Sequence, residues 1–342
     1  MAIVSLFLTA LSTLCASLPM LVFLAAIWWM DRYDREPIWL VALTFLWGAI
    51  GSILFALIGS LFVTRAIAIV AGIIAAFSPF DPLPWIDAAG AVVVAPLVEE
   101  PSKAVFLLFV IWNRHFDNMT DGFVYGAAAG LGFGMTENFM YFTSVTGDIE
   151  AWGFTVIIRT FYSAVMHATC TSIVGAALGF ARFRGLPLLI VCGGTGLAMA
   201  MGVHALWNGL LTLADIDFAV AESVNFFYLN LVIFPFQVLV VFLLFQICLL
   251  EESANIRREL REEADNGVIP EHHPPVIASW IRRHTRSWLP KGVNHYRYIQ
   301  TATSLAMRKK QIRQMRHRAP TFYLDDVKRL RRQLQVMLEG ST

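Results

Sequence analysis

Glu99, Glu100 and Lys103 stand in the middle of an apolar run at about residues 88–112. Glu137 and Asn138 fall in the next such run, His167 is central in the one after, and His204 and Asn208 lie in the fourth. An ionisable side chain at the centre of a bilayer costs about 2.5–3.5 kcal/mol on insertion scales, so each one marks function unless a partner neutralises it. Lys103 follows Glu99 by four positions and Glu100 by three, the spacings at which helical side chains meet, and so can neutralise one glutamate. The other glutamate, Glu137 and both histidines keep no account in packing alone. Such groups support three kinds of chemistry. A buried carboxylate can act as general base on water. Two histidines with one or two glutamates can hold zinc with a position left for water, although no HExxH is present. A chain of glutamates and histidines can also relay protons in a transporter. Phe133 and Glu137, His167 and Thr171, and His204 and Asn208 are each four apart, so each helix presents one short ridge on one face.

These residues need a membrane-spanning framework. Hydrophobic residues make up 57% of the 342-residue chain and charged ones only 15%, against about 25% charged in soluble domains. The expected fold is an all-α, polytopic transmembrane helix bundle with a helical C-terminal tail. Runs of about 20 apolar residues are long enough to span, and candidates fall near 4–30, 38–63, 88–112, 121–143, 153–181, 187–213 and 224–250, with a shorter piece at 66–79. That makes seven or eight spans. The first run is too long for a signal peptide and lacks a basic leading segment, so it reads as a retained span.

Charge divides the chain in two. Residues 251–342 hold 18 of the 26 Lys and Arg, so 1–250 form the membrane domain and 251–342 a basic tail, cytoplasmic by the positive-inside rule. Arg182 and Arg184, Asn113–His115 and Asp31–Arg35 then fall on the same side, with Asp81, Asp87, Asp148, Glu150, Asp215, Asp217 and Glu222 opposite; Arg65 alone is misplaced. Glu99, Glu137, His167 and His204 come out between mid-membrane and the outer half, which points to one shared, water-filled site. Gly122, Gly126, Gly130 and Gly134 recur every fourth residue and put a small-residue stripe against a neighbouring helix. Cys15, Cys170, Cys192 and Cys248 lie in apolar stretches without CxxC spacing and read as packing residues. In the tail, Val327, Leu330, Leu334 and Met337 have helical spacing against a basic face, fitting either an anionic membrane surface or a self-packed helical domain.

The ordered set Glu99-Glu100-Pro101-Ser102-Lys103, Phe133 through Glu137-Asn138, His167, and His204 through Asn208 resembles the PrsW family of intramembrane proteases, and Asp31-Arg32-Tyr33 through Glu36-Pro37 resembles a segment common there. The resemblance covers roughly residues 30–210. PrsW proteins are similar in turn to the CAAX prenyl endopeptidases, from which this chain departs at Glu137, where those have histidine, and at Lys103. The tail lies outside the resemblance.

The resemblance implies a peptidase in a bacterial plasma membrane that cuts a membrane-anchored protein, such as an anti-sigma factor. It implies as catalytic set Glu99, Glu100, Glu137, His167, His204 and Asn208, with Lys103, Asn138 and Phe133 in support. In a metal-free mechanism Glu99 or Glu100 is the base, Glu137 and His167 hold the water, and His204 and Asn208 stabilise the oxyanion; analogy favours Glu99 as base. In the zinc-dependent alternative His167, His204 and Glu137 are ligands. The expected partners are the membrane-anchored substrate and the lipid bilayer, with no cofactor other than a possible zinc and no nucleic acid. A proton-coupled transporter and a non-catalytic scaffold are the alternatives outside proteolysis.

Overall fold

A computed structural model of the chain describes residues 2–77, 83–216, 224–285, 287–315 and 319–339. Every regular element among them is helical. We number the principal helices α1 (Ala2–Met30), α2 (Ile38–Ala75), α3 (83–110), α4 (Met119–Ser144), α5 (Ile149–Ala181), α6 (Leu186–Ile216), α7 (Val224–Asp265), α8 (His295–Gln314) and α9 (Thr321–Glu339).

Length and composition suffice for a membrane crossing in α1, α2, α5, α6 and α7. The chain is thus an all-α integral membrane protein. Helices α3 and α4, which carry Glu99, Glu100, Lys103 and Glu137, pack within the same bundle. The piece at 66–79 is not a separate element: as far as Ala75 it continues α2 through Arg65, because no helix breaker stands before Pro79. On α2, Leu54, Phe55, Ile58, Leu61 and Phe62 are exposed side chains of the kind that face lipid. Of the acids assigned to the side away from the tail, Asp81, Asp217 and Glu222 lie outside the described residues, as does the side chain of Asp215.

Helix α4 is the centre of the bundle, and its glycines decide how close its neighbours come. A Cβ on Gly130 would lie 2.3 Å from the backbone oxygen of His167, and one on Gly132 would lie 2.0 Å from that of Phe45. The absence of side chains there brings α5 and α2 into backbone contact with α4 on two faces.

Three helices contain a π-helical turn: Trp47–Ser52 in α2, Gly90–Val94 in α3 and Arg159–Ser163 in α5. A wider turn disturbs the regular helical hydrogen bonding. In each, a carbonyl accepts a side-chain hydrogen bond from another helix: Ala49 from Thr136 Oγ1 at 2.7 Å, Ala91 from Asn208 Nδ2 at 2.8 Å, and Arg159 from Asn138 Nδ2 at 3.3 Å. Buried backbone groups need partners, and these three bonds supply them while tying the helices together.

Helix α7 passes residue 250 without a break and ends at Asp265, inside the tail's own core of Ile256, Leu260, Ile277, Tyr298, Leu305 and Leu334. Val327, Leu330 and Leu334 of α9 are buried in that core. The apolar stripe of α9 therefore faces its own domain rather than a membrane surface. Buried Glu263 joins α7 to α8 and α9 through Lys309 at 2.6 Å and Arg331 at 2.7 Å.

Candidate active site

Glu99 and Glu100 leave α3 one turn beyond its π segment, beside Pro101, which cannot continue the helical hydrogen-bond ladder. Lys103 Nζ lies 2.8 Å from Glu100 Oε1, 3.3 Å from Glu99 Oε2 and 2.8 Å from His167 Nδ1. The ammonium also stands 4.0 Å from the centre of the Phe133 ring, a cation–π contact. Lys103 and Glu100 have no solvent exposure, whereas Glu99 keeps some. One lysine thus serves both glutamates, and the second carboxylate is not left unpaired.

His204 Nδ1 lies 2.8 Å from the same Glu100 oxygen, and its Nε2 lies 4.0 Å from Glu99 Oε2. The two histidine rings meet edge to face with centroids 5.1 Å apart. His167 Nε2 lies 2.7 Å from Glu137 Oε2, which lies 2.6 Å from a guanidinium nitrogen of Arg159. The ammonium can only donate, so His167 Nδ1 accepts and Nε2–H donates to Glu137. The network assigns this tautomer.

The residues expected from the sequence lie close together. Glu99, Glu137, His167, His204 and Asn208 line a cavity of about 430 Å³, with Tyr141, Arg159 and Trp207 completing its wall. Glu100 and Lys103 lie behind that wall. Asn138 sits one step away, its amide bridging to Arg159: Nδ2 donates to the Arg159 carbonyl and Oδ1 accepts from Nε at 3.2 Å. Asn208 gives one amide hydrogen to Ala91 and keeps a second. The cavity runs from mid-helix toward the ends of α3, α4, α5 and α6 that point away from the tail.

Arg159 is the site residue that the sequence reading missed. It is the sole Lys or Arg between Arg114 and Arg182, and the cost that singled out Glu99 applies equally to it. It stacks on Tyr141 at 3.6 Å.

Residues 36–244, more than half of the chain, match the family model described as "PrsW family intramembrane metalloprotease". The chain belongs to the PrsW family. It is 32% identical to Protease PrsW of Geobacillus kaustophilus over 154 residues, 45% of this chain and 59% of that protein. It is 33% identical to Protease PrsW of Clostridioides difficile over 137 residues, 40% of this chain and 52% of that one. Over 174 residues, 50% of this chain and 70% of the other, it is 32% identical to Protease PrsW of Oceanobacillus iheyensis. The chain thus spans little more than half the length of the first two. No solved structure matches it.

The PrsW description names a metal, and the residues present fit one in type and reach. One donor atom from each of Glu99, Glu100, His167 and His204 lies within 4.8 Å of the others, a ligand set that zinc accepts. Buried Glu100 Oε2 also lacks a hydrogen-bond partner. Glu137, expected from the sequence as a third ligand, instead faces Arg159 and His167, and Glu99 and Glu100 take its place in the donor set. Lys103 stands among three of these donors, so an ion bound to them requires its ammonium to withdraw.

Proposed function

We propose that this protein is an intramembrane endopeptidase that hydrolyses a peptide bond of a membrane-anchored protein, with Glu99 as general base on water. The observation that carries this reading is that polar side chains of four helices share one cavity, with Glu99 the paired glutamate that opens into it. Glu100 is held on the same oxygen by Lys103 and His204 and is fully enclosed, so it orients its neighbours. Glu99 takes a proton from water as the water attacks the scissile carbonyl, then delivers it to the leaving amine. His204 donates Nδ1–H to Glu100, which turns Nε2 toward Glu99; the second amide hydrogen of Asn208 serves the oxyanion, joined by Nε2–H of His204 when the ring carries both protons. His167 has both nitrogens engaged, so with Glu137 and Arg159 it forms the wall against which the water is set.

The tail's share of the basic residues supports a cytoplasmic tail, and the bacterial relatives support a bacterial plasma membrane. The substrate would then be cut in the half of the bilayer away from the cytoplasm, as the family resemblance implies for an anti-sigma factor.

A zinc-dependent variant of the same reading is favoured by the clustered donor atoms of Glu99, Glu100, His167 and His204. Zinc held there would supply a bound water acidic enough to attack at neutral pH. The test is cleavage of single-pass substrates by purified protein in liposomes, with metal content measured on the same sample. Activity that persists in metal-free protein and is lost in Glu99→Gln supports the glutamate mechanism. Activity lost on chelation and restored by zinc, with stoichiometric zinc bound, replaces it. Undiminished cleavage by Glu99→Gln refutes both assignments of Glu99.

A further inference from the structure

At the tail side of the bundle a cleft of about 970 Å³ opens between the turn joining α5 to α6 and the end of α8. The turn spans residues 182–185 and connects two helices apolar enough to cross the membrane, Ile149–Ala181 and Leu186–Ala214. The cleft therefore lies where hydrocarbon gives way to water. Its wall presents Arg182 and Arg184 from the turn, Arg313 from α8, and the apolar side chains Phe183, Leu188 and Met315.

The cations are not equivalent. Arg182 gives Nε to the Phe116 carbonyl at 3.0 Å and lies 5.5 Å from the Trp112 ring, which fixes the turn. Arg313 is half-exposed and paired with Glu259 and Glu262. Among the described residues Arg184 donates to the Phe180 carbonyl at the end of α5 and stacks 3.7 Å from the Phe180 ring; Glu251 acts on it at longer range without an ion pair. Asp117 and Asp121 act on Arg182, as Glu251 does on Arg184, only at longer range, so among the described residues neither arginine at the cleft has a carboxylate in ion-pair contact. Leu186 and Leu188, on the first turn of α6, are exposed immediately beside it. Cations at headgroup depth above exposed leucines at acyl depth match a molecule with an anionic head and an apolar body. A freely dissolved anion would use only the upper half of that arrangement.

We propose that this cleft binds the phosphate headgroup of an anionic phospholipid in the leaflet facing the tail, its acyl chains lying against Leu186 and Leu188. The lipid then bridges the membrane domain, through Arg182 and Arg184, to the tail through Arg313. The buried stripe of α9 leaves this cleft, rather than that helix, as the place where the tail meets lipid.

The test is native mass spectrometry of the delipidated, full-length protein titrated with phosphatidylglycerol, phosphatidylcholine or inorganic phosphate. The expected result is saturable binding of phosphatidylglycerol well above phosphatidylcholine, undiminished by millimolar phosphate. Arg184→Gln should weaken it about fivefold, the size of one surface cation's attraction. Arg329→Gln, an exposed charge elsewhere on the tail, should leave it unchanged. Equal retention of both lipids, or equal loss in the two variants, overturns the proposal. Displacement of the lipid by phosphate overturns it in favour of a free-anion site.

Discussion

Glu137 Oε2 is shared by His167 and Arg159: it lies 2.7 Å from the imidazole Nε2 and 2.6 Å from the guanidinium. The histidine's other nitrogen faces Lys103, so ring orientation at the site depends on an arginine two turns earlier on the same helix. Groups that orient a catalytic or ligating side chain typically account for 10–100-fold of activity. Arg159→Gln should therefore lower kcat by about 10–100-fold with little change in KM, and Arg159→Lys should recover part of it, because an ammonium lacks the planar fork. A merely structural arginine would instead lower the thermal midpoint and leave kcat of the folded fraction intact.

Gly130 sets the distance between α4 and α5. A Cβ there would meet the His167 carbonyl at 2.3 Å, a backbone atom that cannot swing aside. Gly130→Val should destabilise the protein by about 1–3 kcal/mol, the usual cost of overpacking. It should also reduce cleavage more than that loss of folded protein explains, because Glu137 and His167 are carried apart. Thermal unfolding and kcat measured on the same preparation separate the two effects.

The tail side carries a second group of acids, unrelated to the cavity. Asp117, in the loop before α4, is pushed up to about 7, first by burial and then by Asp34, against the opposing charges of Arg308 and Arg182 and a hydrogen bond from Gln311. Burial also raises Asp34, with Arg283 and Arg308 opposing. Between about pH 4 and 7 the folded protein keeps a proton on Asp117 that the unfolded chain has released, so stability falls as pH rises through that window. The thermal midpoint should be higher at pH 5 than at pH 8, and Asp117→Asn should flatten part of the slope. An unaltered slope in the variant would remove Asp117 from this account.

Glu263 has no exposed side-chain surface, and both its oxygens accept charged donors, from Lys309 and Arg331. Glu263→Ala removes its bonds to both cations, but Lys309 keeps Glu262 at 3.1 Å and Glu259 at 3.9 Å and Arg331 is partly exposed, so the loss should be about 1–2 kcal/mol. Limited proteolysis should cut α8 and α9 faster in this variant, while the spans remain protected.

Most of the helices can be read from apolar run length alone, and the convergence of Glu99, Glu137, His167 and His204 from their shared depth. Where reading stopped short, irregular helix geometry was responsible. In a straight α-helix residues eight apart, such as Arg159 and His167, point about 80° apart. The π turn at Arg159–Ser163 absorbs one residue and brings the pair to within about 20° of one face. No residue pattern announces that insertion, so neither the contact of Arg159 with Glu137 nor the turning of Glu137 away from the clustered donor atoms was legible. The bond from Asn208 to Ala91 rests on a second such turn. Apolar run length separates 38–63 from 66–79, whereas α2 runs on through Arg65 to Ala75, because a single arginine with a route to the surface does not end a helix.

Helix α7 touches both ends of the molecule. Near its start Asn230 donates to the Trp207 carbonyl at 3.2 Å, and Phe234 packs on the Trp207 ring with centroids 5.0 Å apart. Trp207 is a wall of the cavity, and Pro235, the next residue after Phe234, lies inside the helix without an N–H for its hydrogen-bond ladder. Further along the same rod Ile256 and Leu260 lie in the tail's core. At 1.5 Å per residue, Ile256 stands about 30 Å from Pro235, so a tilt of about 10° at the proline moves the tail by about 5 Å. The fulcrum of that lever lies against the cavity wall, and its long arm ends in the compartment on the tail side of the membrane.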